Sequence, residues 1–224
     1  MGTPFVPGRL VDLSHAIEHG LRTYPGLPEP AISTYLSHDE SRARYAPGTE
    51  FHIGRIEMIA NTGTYLDSPF HRYRDGADLS ALSLESLADL RGHVVDAPAS
   101  GRRVTASELP DADLAGKAVL FRTGWSRHWG TPRYFEPHPF LDGEVAKRLV
   151  AARVALVGID SLNIDDTRGD ERPVHSALLR AGIPIVEHLT GLDGLPASGF
   201  RFFAVPVKVR GMGTFPVRAF ARLD

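Results

Sequence analysis

No cysteine occurs in the 224 residues. That one absence removes a disulfide scaffold, a thiolate zinc site, an iron–sulfur cluster and a cysteine nucleophile. An excess of either charge is missing too: 25 Lys and Arg face 27 Asp and Glu, for a formal net charge of -2. No run of like charge is long enough to be an interaction tail. Nothing in this balance calls for nucleic acid or an anionic membrane as partner. No apolar stretch approaches the ~18 residues of a membrane helix. The start, MGTPFVPGRLVDLSH, has no basic segment followed by an apolar run, so a cytoplasmic soluble protein is expected. Internal repeats and low-complexity linkers are lacking. So are GxSxG, P-loop, GxGxxG and HExxH signatures, and Gly211-Met212-Gly213 is too short to argue a phosphate cradle.

What is present reads as one globular domain over 1–224. A hydrophobic fraction of 42% and a charged fraction of 23% suit a chain that buries a full core. The 17 prolines and 22 glycines are spread throughout, which predicts frequent turns and short helices. VDLSHAI could open with a strand, and TYPGLPEP is a loop. From Phe51 to Asp67 the chain reads FHIGRIEMIANTGTYLD, a long strand or hairpin. Its even positions (Gly54, Ile56, Met58, Ala60, Thr62, Thr64, Leu66) suit a core face. Its odd positions carry Asn61, Tyr65 and Asp67 on the opposite face.

Further along, LSLESLADL reads as a short helix and TASEL carries a capping-box pattern, Thr105 to Glu108. KAVLFRTG, VALVGID, IPIVEHL and RFFAVPVKVRG read as strands. DGEVAKRLVAA and HSALLRAG read as helices, with SLNIDDTRGDERPV a polar loop. Strands alternating with helices predict an α/β fold.

Residues 61–71, NTGTYLDSPFH, concentrate the polar chemistry. Asp67 is an oxygen ligand or base, and His71, past Pro69, leaves the strand and can reach the same pocket as an acid/base. A hairpin with an Asp–Ser–Pro turn accounts for the same letters. Glu187, inside an apolar strand, is costly there unless it is paired, hydrogen-bonded or on a metal. His175 opens a helix, where capping is the bland alternative. His15, His19, His38, His93, His128 and His138 fall in loops or at element ends, where solvation is expected. Alternation puts His52 and His188 on the wrong face. Asp165, Asp166 and Asp170 read as a solvated acidic loop.

Taken together, the blocks resemble the cyclase family of metal-dependent hydrolases, which includes bacterial kynurenine formamidases and isatin hydrolases. The family motif H-x-G-T-H-x-D-x-P-x-H aligns with Asn61, Gly63, Thr64, Tyr65, Asp67, Pro69 and His71. FRTGW, VALVGIDSLNID, IPIVEHLTGLDGL and AVPVKVRGMGTFPVRAFA extend the resemblance along nearly the whole chain. The resemblance implies a compact α/β domain with a partly barrel-like core of β-sheets flanked by short helices. It implies metal ligands at Asp67, His175 and Glu187, with zinc or manganese as the divalent ion, and His71 as acid/base. Asn61 and Tyr65 stand where the family has metal-binding histidines.

Three readings stay open. One is a metal-activated water attacking an amide or lactam of a small molecule. Another is a metal-free cyclase, dehydratase or isomerase using Tyr65, His71, Asp67 and Glu187. The last is a non-catalytic small-molecule-binding module. The resemblance also implies a homodimer or larger homo-oligomer, with the Tyr24-Pro25-Gly26 loop near a neighbour's site. Phe70, Trp125 and Trp129 are the candidate aromatic walls, with core packing as the alternative for each.

Overall fold

The structure, a computed structural model, describes residues 8–97 and 101–223. Thirteen strands form, in chain order: β1 Leu10–Asp12, β2 Ala31–Leu36, β3 Ile53–Glu57, β4 Tyr65–Asp67, β5 Leu90–Asp96, β6 Arg103–Val104, β7 Ala118–Arg122, β8 Phe140–Leu141, β9 Leu156–Ile159, β10 Ile185–Glu187, β11 Ser198–Phe203, β12 Thr214–Pro216 and β13 Phe220–Leu223. The helices are α1 His38–Arg42, α2 Gly143–Ala151 and α3 Pro173–Arg180.

Nine strands make the main sheet, in the order β1-β13-β11-β5-β7-β9-β10-β4-β12. The centre, β5-β7-β9-β10, is parallel, and antiparallel strands extend it on both sides. It curls into a half-barrel, so the fold is mixed α/β as expected.

The central strands are apolar on both faces, the mark of a parallel sheet covered on both sides. Val119, Phe121, Val157, Ile159 and Ile185 pack against Val145 and Leu149 of α2 and Val174 and Leu178 of α3. Their neighbours Leu120, Leu156, Val186 and Leu66 turn to the other face and meet Phe200, Phe202 and Leu189. Gly92 is required there, since a Cβ on it would stand 1.9 Å from the Phe200 ring. α2 forms because Asp142 caps the first turn by accepting from the Glu144 N–H, and its buried Val145, Ala146 and Leu149 share one stripe.

Several expectations shift. The span 51–67 is not one strand. Its first part, β3, pairs only with β2 in a two-stranded ribbon; Ile56, placed on the core face, is exposed, as is Ile53. Only the last three residues join the main sheet, and there the alternation holds: Leu66 enters the core while Tyr65 and Asp67 face the other way. LSLESLADL condenses to a 3₁₀ turn at Leu84–Ser86, and the Thr105–Glu108 capping box closes another 3₁₀ turn. The last strand of RFFAVPVKVRG stops at Phe203. Pro206 has no N–H to give a ladder, and the exposed Val205 and Val207 flank it.

Candidate active site

The site is assembled by register. β4 lies between β10 and β12, both antiparallel to it. Glu187 sits directly across from Tyr65, and Thr214 directly across from Asp67. Because side chains alternate, the four project toward one face, the side on which α3 packs. α3 then sets His175 over them. Asn61 joins from the turn before β4 and lines the same pocket as Tyr65.

His175 is held on both ring nitrogens. Its Nδ1 is 2.7 Å from Asp165 Oδ2, while Nε2 lies 3.6 Å from both Asp67 Oδ2 and Glu187 Oε1. Asp165 is not solvated, as its acidic loop led us to expect. It is fully buried, and its carboxylate also accepts the Val174 and His175 backbone N–H groups. The reason is α3 itself: the helix starts on Arg172, which offers no side-chain cap, so an acceptor must come from elsewhere. That gap at a helix start is the signal in the sequence that could have singled out Asp165. Burial pulls His175 down, but Glu187, Asp165 and Asp67 outweigh it and raise its pKa to about 10.

Glu187 is nearly saturated. Its Oε1 accepts from the Ile164 N–H at 2.7 Å and its Oε2 from the Tyr65 hydroxyl at 2.7 Å. Burial raises its pKa to about 7, against the pull of His175. Asp67 is different. Burial alone would raise it, but His175, His71 and Thr214 bring its pKa below the ordinary value. Its Oδ1 accepts from Thr214 Oγ1; its Oδ2, though buried, has no hydrogen-bond donor among the described residues.

His71 stands at the rim, its side chain 35% exposed. Its Nδ1 is 2.8 Å from Thr214 Oγ1. Gly213 permits this approach, since a Cβ there would come within 2.4 Å of the His71 nitrogen. The Gly211-Met212-Gly213 stretch therefore serves close packing of two backbones.

These groups open into a pocket of about 180 Å³ lined by Tyr24, Asn61, Tyr65, His71, His175 and Glu187, with Arg72, Arg172, Asn163 and Leu27 completing the wall. Tyr24 reaches the pocket of its own chain. Phe70 and Trp125 do not line it, contrary to expectation. Phe70 lies in a 3₁₀ turn, Pro69–His71, where successive side chains point about 120° apart, so His71 faces the pocket and Phe70 faces solvent. Trp125 spends its indole N–H on the Tyr134 carbonyl, bracing two short turns.

His188 was missed for a clear reason. Its φ of 56° is left-handed, which breaks the alternation of β10. The ring, fully buried, sits with Nε2 3.4 Å from the Tyr65 hydroxyl and Nδ1 2.8 Å from the Tyr134 hydroxyl. Behind it Trp129 stacks on His15 at 3.9 Å between ring centres. Of the histidines expected to be solvated, His138 is fully buried and His15 half-buried.

The donor set fits a divalent cation. One ligand atom each from Asp67, His71 and His175 falls within 4.8 Å of the others. The orphaned Asp67 Oδ2 faces His175 Nε2, whose ring is oriented from behind by a carboxylate, as metal-bound imidazoles are. Glu187 Oε1 is equally near His175, but its existing hydrogen bonds make it the weaker member of the expected ligand set.

Carboxylates and imidazoles converge on the short strands of a half-barrel α/β sheet, and together with the following likenesses they mark an enzyme of the hydrolase class. The chain belongs to the Cyclase family: residues 11–166 match the family model, described as "Putative cyclase". It is 29% identical over 219 residues to the kynurenine formamidase of Bacillus cytotoxicus, spanning 95% of this chain and 96% of that one. It is likewise 29% identical over 216 residues to the kynurenine formamidase of Salinibacter ruber, spanning 95% and 97%. Among solved structures, isatin hydrolase A from Ralstonia solanacearum superposes with a TM-score of 0.83 at 26% identity, covering 96% of this chain and 92% of that one. A potential metal-dependent hydrolase with cyclase activity gives 0.76 at 26% identity, covering 95% and 96%.

Proposed function

We propose that this protein hydrolyses the C–N bond of a small amide or lactam, with His71 as acid/base. The observation that carries the reading is the buried, donorless Asp67 Oδ2 facing His175 Nε2 on the floor of a pocket whose rim holds His71. Asp67 and His175, with Glu187 completing the set, would hold a divalent ion such as zinc or manganese. When bound, that ion supplies Lewis-acid polarisation and an acidified water.

The chain's own residues do the rest. Asp165 holds His175 in the tautomer that turns Nε2 to the pocket. Tyr65 and Asn61 replace two imidazoles of the family motif. Tyr65 donates to Glu187 and keeps that carboxylate oriented. His71, braced by Thr214, is placed to move a proton between the attacking water and the departing nitrogen.

The Tyr65–Glu187 pair favours a second reading. A phenol bonded at 2.7 Å to a carboxylate whose pKa is raised to about 7 is an acid/base couple in its own right. In that reading the site performs cyclisation, dehydration or isomerisation without metal. Metal analysis of chelator-free protein, alongside turnover of formamides and lactams before and after stripping, decides between them. Turnover that disappears with the metal and returns on adding zinc or manganese supports the first. Full amide hydrolysis by protein shown to be metal-free sinks it.

The protein is further proposed to work as a cytoplasmic homo-oligomer. The β2–β3 ribbon exposes Ile32, Tyr35, Ile53 and Ile56, with Phe51 and Tyr45 nearby. A lone two-stranded ribbon is marginal in water, and a second copy would cover its apolar side chains.

A further inference from the structure

We propose that Arg72 and Arg172 form a carboxylate subsite, so that the preferred substrate is a small acid, one ring in size, with its carboxylate beside the scissile C–N bond. The proposal rests on the hydrolase reading above and narrows it.

Both arginines line the pocket that holds His71, His175 and Glu187. Both are anchored on the first half of α3. Arg172 is its cap residue, with Nη1 donating to the Gly169 and Glu171 carbonyls at 2.7 Å each. Arg72 donates from Nε to Ser176 Oγ at 3.2 Å, and its guanidinium lies 5.8 Å from the centre of the Tyr73 ring. These bonds fix the two side chains without neutralising them. Among the described residues no carboxylate meets either guanidinium in an ion pair, and each keeps N–H groups facing no protein acceptor.

Three arginines elsewhere show the paired state. Arg122 forks onto Asp96, Arg201 onto Asp89 and Arg218 onto Asp12, each through two N–H groups on one carboxylate. That geometry is the natural use of a guanidinium. At the pocket two such forks lack their anion. Tyr24 shares the pocket wall with both charges: burial and Glu187 raise the pKa of its phenol, while Arg172 lowers it.

Size and charge narrow the occupant. The cavity of about 180 Å³ is slightly larger than one of ~150 Å³ that takes benzene, so it holds one ring with one or two substituents. Tyr24, Leu27 and Tyr65 supply the apolar wall for it. Asp67 and Glu187 beneath would repel a dianion more than a monoanion, which favours carboxylate over phosphate.

Calorimetric titration of the full chain with benzoate and benzamide tests this, because the two probes share shape and differ in charge. Benzoate is expected to bind roughly tenfold more tightly, as charge-assisted pairing implies. The double variant R72M/R172M should erase the difference, and R72K/R172K should retain part of it. The single variant R72M, which leaves the α3 cap intact, should reduce it if the double variant fails to fold. Equal binding of the two probes, binding of neither, or a preference that survives the double variant overturns the proposal. So does tighter binding of inorganic phosphate than of benzoate. Turnover of 2-formamidobenzoate against formanilide separates this from the underlying reading. If neither is hydrolysed while benzoate keeps its advantage, the subsite stands and the hydrolase reading falls. If both are hydrolysed equally and benzoate gains nothing, the reverse holds.

Discussion

Tyr65 shows what one substitution in a shared motif does to its surroundings. A buried phenol in an imidazole's place needs a partner, and it finds Glu187 on the facing strand. Tyr65→Phe would leave Glu187 Oε2 with only the long 3.4 Å contact from Asn163 Nδ2. The expected cost is about 1–3 kcal/mol of folding stability, read by urea denaturation. A change below the error of that measurement would mean the hydrogen bond contributes nothing. His71 should behave oppositely, because it sits at the rim. His71→Ala should lower kcat about 10²–10⁴-fold, the usual contribution of a general acid/base. Its melting temperature should stay near that of the parent. A rate loss under threefold would remove His71 from the proton path.

At the scale of elements, α3 and β10 decide whether the residues meet. Asp165 ties α3 to the polar loop before it, accepting two backbone N–H groups and the His175 ring. Asp165→Asn keeps the size but gives up one acceptor. Metal affinity should fall about 10–100-fold, the usual penalty for losing such a supporting bond. Fluorescence competition with a zinc chelator measures it, and unchanged affinity would show that His175 needs no such support.

The strands carrying Asp67 and Glu187, and the helix carrying His175, were legible in the sequence, because apolar runs and period-two alternation mark them. What escaped notice depended on single backbone conformations or distant partners. His188 turns inward through one left-handed residue, and Asp165 folds inward because a helix start far from it in local pattern lacks a cap. Phe70 and Trp125 failed as pocket walls because short 3₁₀ turns rotate neighbours apart, something no period in the letters displays. The ribbon residue Ile56 looked like core because alternation cannot say what, if anything, lies on the apolar side.

Across the whole molecule, burial of neutral histidine ties stability to pH. Burial lowers the pKa of both His15 and His138 to about 4. Between their unfolded value near 6.5 and about 4, the unfolded chain binds more protons than the folded one, so stability falls as pH falls through that window. Above it the contribution is intact. Asp160 works in the other sense. Burial raises its pKa to about 6, so the folded chain gains there as pH drops from 6 toward 3.8. Glu187, raised to about 7, adds to the gain, so the contribution of one imidazole is read by difference: the change in melting temperature between pH 7.5 and pH 5 should be less unfavourable in His138→Gln than in the parent. An identical change in the two proteins would refute this. Assembly is testable at the same scale. Tyr35→Glu with Phe51→Glu should shift the protein toward monomer in light scattering, and a parent already monomeric at working concentration would dispose of the ribbon as an interface.

The Thr214 hydroxyl has a single hydrogen to give. It gives it to Asp67, an ionised carboxylate that can only accept. The other contact of that oxygen, to His71 Nδ1, must then run the opposite way, with the ring as donor. A neutral His71 so wired carries its hydrogen on the inner nitrogen and a lone pair on the outer one. In the proposed reaction, a ring held in that tautomer would accept a proton from the attacking water before passing it on. One rotor of a threonine outside the pocket lining thus selects which nitrogen of His71 is turned to the pocket.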